Sequence, residues 1–132
     1  FRMFKDNIFT GIGPRMFRYT CVLKKYNIWE GCSTHPHNTY VQLLSETGLI
    51  GFFFGLGIFL IVFGSVIKHF LYKYIKKKII YNDFQLCLIS AILISIWPFV
   101  PTGGFFNNWL NIIYFFPVGM LLNSIYSKNS KM

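Results

Sequence analysis

The chain has 132 residues, a net charge of +9, 54% hydrophobic residues and 20% aromatic residues. That is too apolar and too aromatic for an ordinary soluble domain, and the apolar residues gather in long runs. The basic residues stand around those runs, where membrane segments have their own need for them, so the charge does not point to nucleic acid.

Phe1 to Ser33 holds six cations (Arg2, Lys5, Arg15, Arg18, Lys24, Lys25) against Asp6 and Glu30. Phe1 to Thr10 has no apolar core followed by small residues, so that stretch does not read as a signal peptide. The chain opens on Phe1 and reads as the carboxy-terminal piece of a larger membrane protein. Gly11-Ile12-Gly13-Pro14 is a turn. Phe17, Tyr19, Tyr26 and Trp29 give the stretch an interface-seeking character. Its basic residues are open to two readings: a surface for a pyrophosphate, with Arg15 and Arg18 as the forks that fit phosphate oxygens, or a solvated loop. Cys21 and Cys32 flank the basic and aromatic stretch. They pair if it lies in an oxidising compartment and are free thiols otherwise. Cys87, within an apolar run, is expected to be a small buried hydrophobe.

From Pro36 to Thr47 the sequence predicts a short amphipathic helix. Pro36 suits a first helical turn, where its missing N–H leaves nothing unpaired. At about 100° per residue, Asn38, Gln42, Ser45 and Glu46 fall on one side and His37, Tyr40, Val41 and Leu44 on the other. His37 is thereby expected on the apolar side, where a buried imidazole tends to be neutral and ready to accept a proton. Glu46, facing away, is expected in solvent or paired with a basic residue. If the helix runs on, Gly48, Gly51 and Gly55 continue the His37 face, and Gly51 and Gly55 form a G-x-x-x-G pair suited to close approach.

Leu49 to Ile67 is 19 uncharged residues, close to the ~20 that cross a bilayer. The Lys68, Lys73, Lys76, Lys77 and Lys78 cluster then has the pattern of a cytoplasmic connection. Phe84 to Val100 is a second uncharged run, Pro101 to Gly104 a turn, and Trp109 to Ile125 a third run, interrupted by Asn111, Pro117 and Asn123. Lys128 and Lys131 close the chain. The expected fold is an all-α integral membrane protein. Residues 1–47 form an extramembrane segment, and residues 48–132 carry about three spans (48–67, 84–100 and 109–125) with a basic loop at 68–83. The charge rule puts that loop inside and residues 1–47 outside. The six cations of the first segment oppose this, and the length of that segment blunts the rule.

His37-Asn38, nine residues, then Gly48-Leu49-Ile50-Gly51 resembles the signature of the O-antigen ligase and O-antigen polymerase family. That signature reads His, then Asn, Ser or Gln, nine residues, then Gly-x-x-Gly. His35-Pro36, Thr39-Tyr40, Leu43-Leu44, Glu46-Thr47 and the upstream Gly11-Ile12-Gly13-Pro14 also read like the family, so the likeness covers roughly residues 9 to 67. It implies a multi-pass glycosyltransferase of the bacterial inner (cytoplasmic) membrane, with residues 1–47 periplasmic and further spans preceding them. Its partners would be an undecaprenyl-pyrophosphate-linked glycan donor, a lipid or glycan acceptor and the bilayer, with no metal ion or other cofactor. His37 would be the general base for an acceptor hydroxyl. Asn38 would orient the sugar or the imidazole, His35 would support the site, and arginines such as Arg15 and Arg18 would ease departure of the pyrophosphate. His37 also has a metal reading, with His35 and Cys32, weakened by unusual spacing and no fourth ligand, and a purely structural one. Three functions stay open: ligation of a glycan to lipid A-core, polymerisation of lipid-linked repeat units, and a non-enzymatic transporter or anchor fragment.

Overall fold

The computed structural model describes residues 2–26 and 32–129; Trp29, Glu30 and Lys131 lie outside the described residues. Every regular element among them is a helix: α1 (Arg2–Asp6), α2 (Phe17–Thr20), α3 (Thr39–Ile75), α4 (Asp83–Ser95) and α5 (Asn108–Asn129). The chain forms two compact units, Phe1–Gly57 with Pro98–Leu110, and Ile58–Trp97 with Asn111–Met132.

In the first unit α3 starts at Thr39, three residues later than Pro36 suggests. The reason is Asn38. Its Oδ1 accepts from the backbone N–H groups of Tyr40 at 3.0 Å and Val41 at 3.1 Å, the geometry of an N-cap that satisfies orphan amides of the first turn. The His37 carbonyl is taken by the Thr102 amide at 3.0 Å. Pro36 and His37 therefore precede the helix, and the expectation of His37 on an apolar helix face is not met: the side chain is exposed.

Nine residues into α3 the helix breaks at Gly48, whose φ of 66° and ψ of −157° suit only glycine. In an unbroken helix the Leu49 amide would reach the Ser45 carbonyl and the Ile50 amide the Glu46 carbonyl. The break frees all four groups, and one upstream segment takes them. Leu49 N–H donates to Ile8 O at 2.9 Å and Ile50 N–H to Phe9 O at 3.4 Å. Ser45 O accepts from Ile12 N at 3.0 Å and Glu46 O from Gly13 N at 2.9 Å. The approach is backbone against backbone. A Cβ at Gly48 would strike the Phe9 carbonyl and stand 2.7 Å from Ile8 O. One at Gly11 would strike the main chain of Glu46 and Thr47.

Also in this unit, Cys21 and Cys32 form a disulfide with Cα atoms 5.6 Å apart. Asp6 forms an ion pair with Lys25 at 2.7 Å and accepts a hydrogen bond from the Tyr26 hydroxyl. The Lys25 ammonium, then the Tyr26 hydroxyl, hold the Asp6 carboxyl below its usual range.

Beyond the break α3 continues from residue 49 to 75, which is 75 − 48 = 27 residues, or about 40 Å at ~1.5 Å per residue. A bilayer core is ~30 Å thick. Two helices, α3 and Asn108–Ser127 of α5, are long and apolar enough to cross a membrane. The third expected span is shorter than the sequence suggests, because α4 has 13 residues. It begins at a capping box, Asn82 accepting from Gln85 N at 2.8 Å and the Gln85 side chain accepting from Asn82 N at 3.2 Å. It ends before Trp97-Pro98, since a residue ahead of proline leaves the helical region.

In the second unit α4 meets α5 through Gln85 Nε2 and Ser124 Oγ at 3.2 Å, and the Trp97 ring lies edge-on to Phe59 and Phe63. Gln85, Ile89 and Ile92 share the buried face of α4. Cys87, expected to be buried, stands on the other side and is exposed. α3 runs on to Ile75, so Lys68 and Lys73 are helical and the basic connection is shorter than expected.

Burial departs from the pattern of a soluble fold. Among the described residues the buried side chains are as often polar (Thr39, Gln42, Ser45, Glu46, His69, Gln85) as apolar (Met3, Cys21, Tyr40, Leu43, Ile89, Ile92). Phe54, Ile61, Ile75, Phe116 and Trp109 are among many large apolar side chains left exposed. An apolar solvent accommodates such a surface and favours internal pairing of polar groups.

Candidate functional site

The polar side of α3 is the floor of the site. Sequence pattern places Gln42, Ser45 and Glu46 together, and Glu46 in solvent or against a cation. The structure keeps the grouping and corrects the environment: Gln42 is 3% exposed and Glu46 1%. Segments far apart in the chain cover this face and satisfy it with main-chain amides. Glu46 Oε1 accepts from Phe17 N–H at 2.9 Å, and Glu46 Oε2 accepts from Gln42 Nε2 at 2.9 Å. Gln42 Oε1 accepts from Phe105 N–H at 2.8 Å. A buried carboxylate is tolerated only when hydrogen bonds replace its hydration, and these do so. The Phe17 amide opens α2, whose preceding residue Met16 provides no side-chain cap; the Glu46 carboxylate takes that place from across the fold.

Over this floor lies a cleft of about 220 Å³. Arg15, Arg18 and His35 line it, with Gln42 and Glu46 below and the Gly103–Asn107 turn opposite. Arg15 has a φ of +64° and follows Gly13 at +106°, so the tight turn docked on α3 presents this arginine in a sparsely populated backbone conformation. Arg18 follows from the helical turn that Glu46 caps. Neither guanidinium forms an ion pair among the described residues, where Asp6 and Lys25 do. Both are available to an anion.

His35 is half-buried. Its Nδ1 lies 3.0 Å from Thr34 Oγ1, while its Nε2 is buried without a hydrogen-bond partner. Gly104 makes room for the ring: a Cβ there would be 3.5 Å from His35 Cγ.

The structure thus gathers Arg15, Arg18 and His35, and sets His37 and Asn38 apart from the cleft lining. His37 is exposed, its ring centroid 4.8 Å from that of His35. Asn38, besides capping α3, donates from Nδ2 to Pro98 O at 2.7 Å; three of its four hydrogen-bonding positions are occupied. Gly48 is the helix break. A side chain at Gly51 would strike Thr47, and one at Gly55 would stand 2.7 Å from Leu43 Cδ1, both within α3 itself. Cys32 is bonded to Cys21 and so is withdrawn from a metal set with His35 and His37. Gln42 and Glu46 line the cleft and were passed over by the pattern of residue types. Their i,i+4 spacing, which lets a glutamine amide meet a carboxylate on one helix face, was the available signal.

The cleft thus sets two arginines that form no ion pair among the described residues at the head of an apolar helix. Residues 1–56 match the model of the O-antigen ligase family, so α1, α2 and the head of α3 are similar to a fragment of that family. The match ends beside Gly57, where the first stretch of the first unit also ends. No curated protein and no solved structure matches the chain. The family's function is of the O-antigen ligase or polymerase type, a glycosyltransferase-like activity on lipid-linked glycans in a bacterial membrane.

Proposed function

We propose that this chain is part of a membrane glycosyltransferase that moves a glycan from an undecaprenyl-pyrophosphate donor to an acceptor hydroxyl, in the manner of an O-antigen ligase acting on lipid A-core. The observation that carries the reading is the cleft: two arginines without ion pairs among the described residues, in the segment that matches the family. The cleft offers about 220 Å³. That room suits one small charged group, leaving the sugar and the polyprenyl chain outside.

In the proposed reaction the pyrophosphate sits against Arg15 and Arg18, whose planar forks match its oxygens. The His35 ring forms part of the wall beside it. His37, exposed beside His35, accepts the proton of the acceptor hydroxyl as that oxygen bonds to the anomeric carbon. The bond from that carbon to the pyrophosphate oxygen breaks, and the electron pair leaves with the lipid pyrophosphate, whose growing charge the arginines stabilise. No metal ion or other cofactor is needed for these steps. Asn38 holds the backbone that carries His37. α3 and α5 span the inner membrane, and residues 1–47 face the periplasm. A polymerase would use the same groups with a lipid-linked repeat as acceptor.

The test is glycan transfer by the full-length protein in reconstituted membranes, with chelator present. His37→Ala should lower the rate about 10²–10⁴-fold, the span of general-base contributions, with membrane insertion intact. Arg18→Lys should also impair transfer, since lysine keeps the charge and loses the fork. Near-normal transfer by the His37→Ala protein refutes the base assignment, and loss of activity in chelator restores a metal mechanism.

A further inference from the structure

We infer that Gln42 and Glu46 are positioning residues: their side chains form a strut that sets the separation between the arginine-bearing segment and the Gly103–Asn107 turn across the cleft. The inference rests on the anion-binding reading above and deepens it. Three hydrogen bonds run in series, Phe17 N–H to Glu46 at 2.9 Å, Gln42 Nε2 to Glu46 at 2.9 Å, and Phe105 N–H to Gln42 Oε1 at 2.8 Å. Both ends of the series are main-chain amides, so the strut fixes backbone, and with it the places from which the wall side chains project. Phe17 directly precedes Arg18. Phe105 directly follows Gly104, the residue against which His35 rests. Glu46 also accepts the Gly13 amide through its own carbonyl, two residues before Arg15. One residue therefore holds the approach to both arginines.

The charge of Glu46 gives the strut its direction. An ionised carboxylate is acceptor-only at both oxygens. It forces the Gln42 amide to turn Nε2 inward, and that leaves Oε1 facing the Phe105 amide. An amide at position 46 offers one acceptor and one donor. If its oxygen keeps Phe17, its NH₂ meets the NH₂ of Gln42, and relieving that clash by flipping Gln42 points a donor at the Phe105 N–H. Glu46→Gln is nearly isosteric and still breaks the series at one place. Exchanging the two groups, Glu46→Gln together with Gln42→Glu, restores it: the carboxylate at 42 accepts from Phe105 N–H and from the amide at 46, whose oxygen still accepts from Phe17.

The experiment compares wild type, Glu46→Gln and the exchanged pair in the full-length protein. It reads KM and kcat for the undecaprenyl-pyrophosphate-linked donor, and amide hydrogen exchange at Phe17 and Phe105. Glu46→Gln should raise KM about tenfold with a smaller change in kcat, and speed exchange at Phe105 by a similar factor, the effect of one buried hydrogen bond. The exchanged pair should return both to within about twofold of wild type, since coupled neighbours compensate in a double-mutant cycle. Unchanged KM and exchange in Glu46→Gln overturn the strut. An exchanged pair no better than the single variant, with the Phe105 amide again protected, also overturns it, because the carboxylate then acts by direct contact at position 46. If wild type transfers no glycan while the exchange pattern holds, the strut stands and the transferase reading falls.

Discussion

Replacing Gly48 with alanine tests the joint on which the cleft is built. At φ 66° and ψ −157° the residue lies where side chains are rarely tolerated, a strain of about 1–3 kcal/mol. The added Cβ would also strike the Phe9 carbonyl. The helix has an alternative: straighten through position 48, pair its own Leu49 and Ile50 amides with Ser45 and Glu46, and expel the segment from Ile8 to Gly13. Four inter-segment hydrogen bonds are then traded for two intrahelical ones. That trade is the same with glycine or alanine at position 48, so the substitution adds only the strain and the Phe9 clash, and with both the docked state loses about 3 kcal/mol. At ~1.36 kcal/mol per decade the expelled state gains about 100-fold in population. Amide hydrogen exchange reads this directly. Ile12 and Gly13 should exchange about 100-fold faster in Gly48→Ala, while Leu49 and Ile50 stay protected by the straightened helix. Glycan transfer should fall as Arg15 leaves the cleft. Gly57→Ala is the control, because nothing lies within 4 Å of a Cβ there and alanine favours a helix. Slow exchange at Ile12 and Gly13 in Gly48→Ala would refute the account of the break.

The Asp6 carboxyl, held below its usual range by Lys25 and then Tyr26, gives the tether between α1 and residues 25–26 a pH limit. A lowered carboxylate value means the contribution is complete above the ordinary aspartate range, near pH 4, and is lost as pH falls through the folded-state value. Proteolytic nicking near residues 25–26 should therefore be constant from neutral to mildly acidic pH and rise below about pH 4; Asp6→Asn should nick equally at both, and an acid response that survives in that variant would exclude Asp6 as its source. For the proposed topology, a reporter fused after Lys78 should be cytoplasmic and one near Lys24 periplasmic. Both on one side would contradict a crossing by α3 with residues 1–47 outside.

The apolar runs were legible because length and lack of charge are local properties. The helical class and the stretch from Leu49 onward follow from them directly. Helix ends were harder. Pro36 signals a start, but the start moved to Thr39 because Asn38 caps it and because Thr102, some sixty residues away, takes the His37 carbonyl. The same distance effect hid the floor of the cleft. A face bearing Gln42, Ser45 and Glu46 reads as solvated when nothing in the sequence announces that the amides of Phe17 and Phe105 will cover it. Gly48 was recognised by its spacing and misplaced in its role, because a glycine inside a helical pattern looks the same whether the helix continues or breaks. Arg15 and Arg18 were singled out for forks that fit phosphate and His35 through the family likeness, and the structure adds that the three share one cleft from which His37 stands apart.

The joint between the segment from Ile8 to Gly13 and the head of α3 is made almost wholly of main-chain atoms, and this makes it blind to side-chain identity at most of its positions. Ile8 and Phe9 lend their carbonyls while remaining 45% and 69% exposed, and Ile12 lends only its amide. Substitutions at those three positions should be absorbed, provided they keep an ordinary backbone and, at 12, an N–H. The two glycines are different in kind: Gly11 and Gly48 sit where the chains touch, and there any side chain at all is too large. A joint of this type records itself in a sequence as fixed gaps between glycines with loosely specified residues between them, which is the form in which this chain first presents its candidate site.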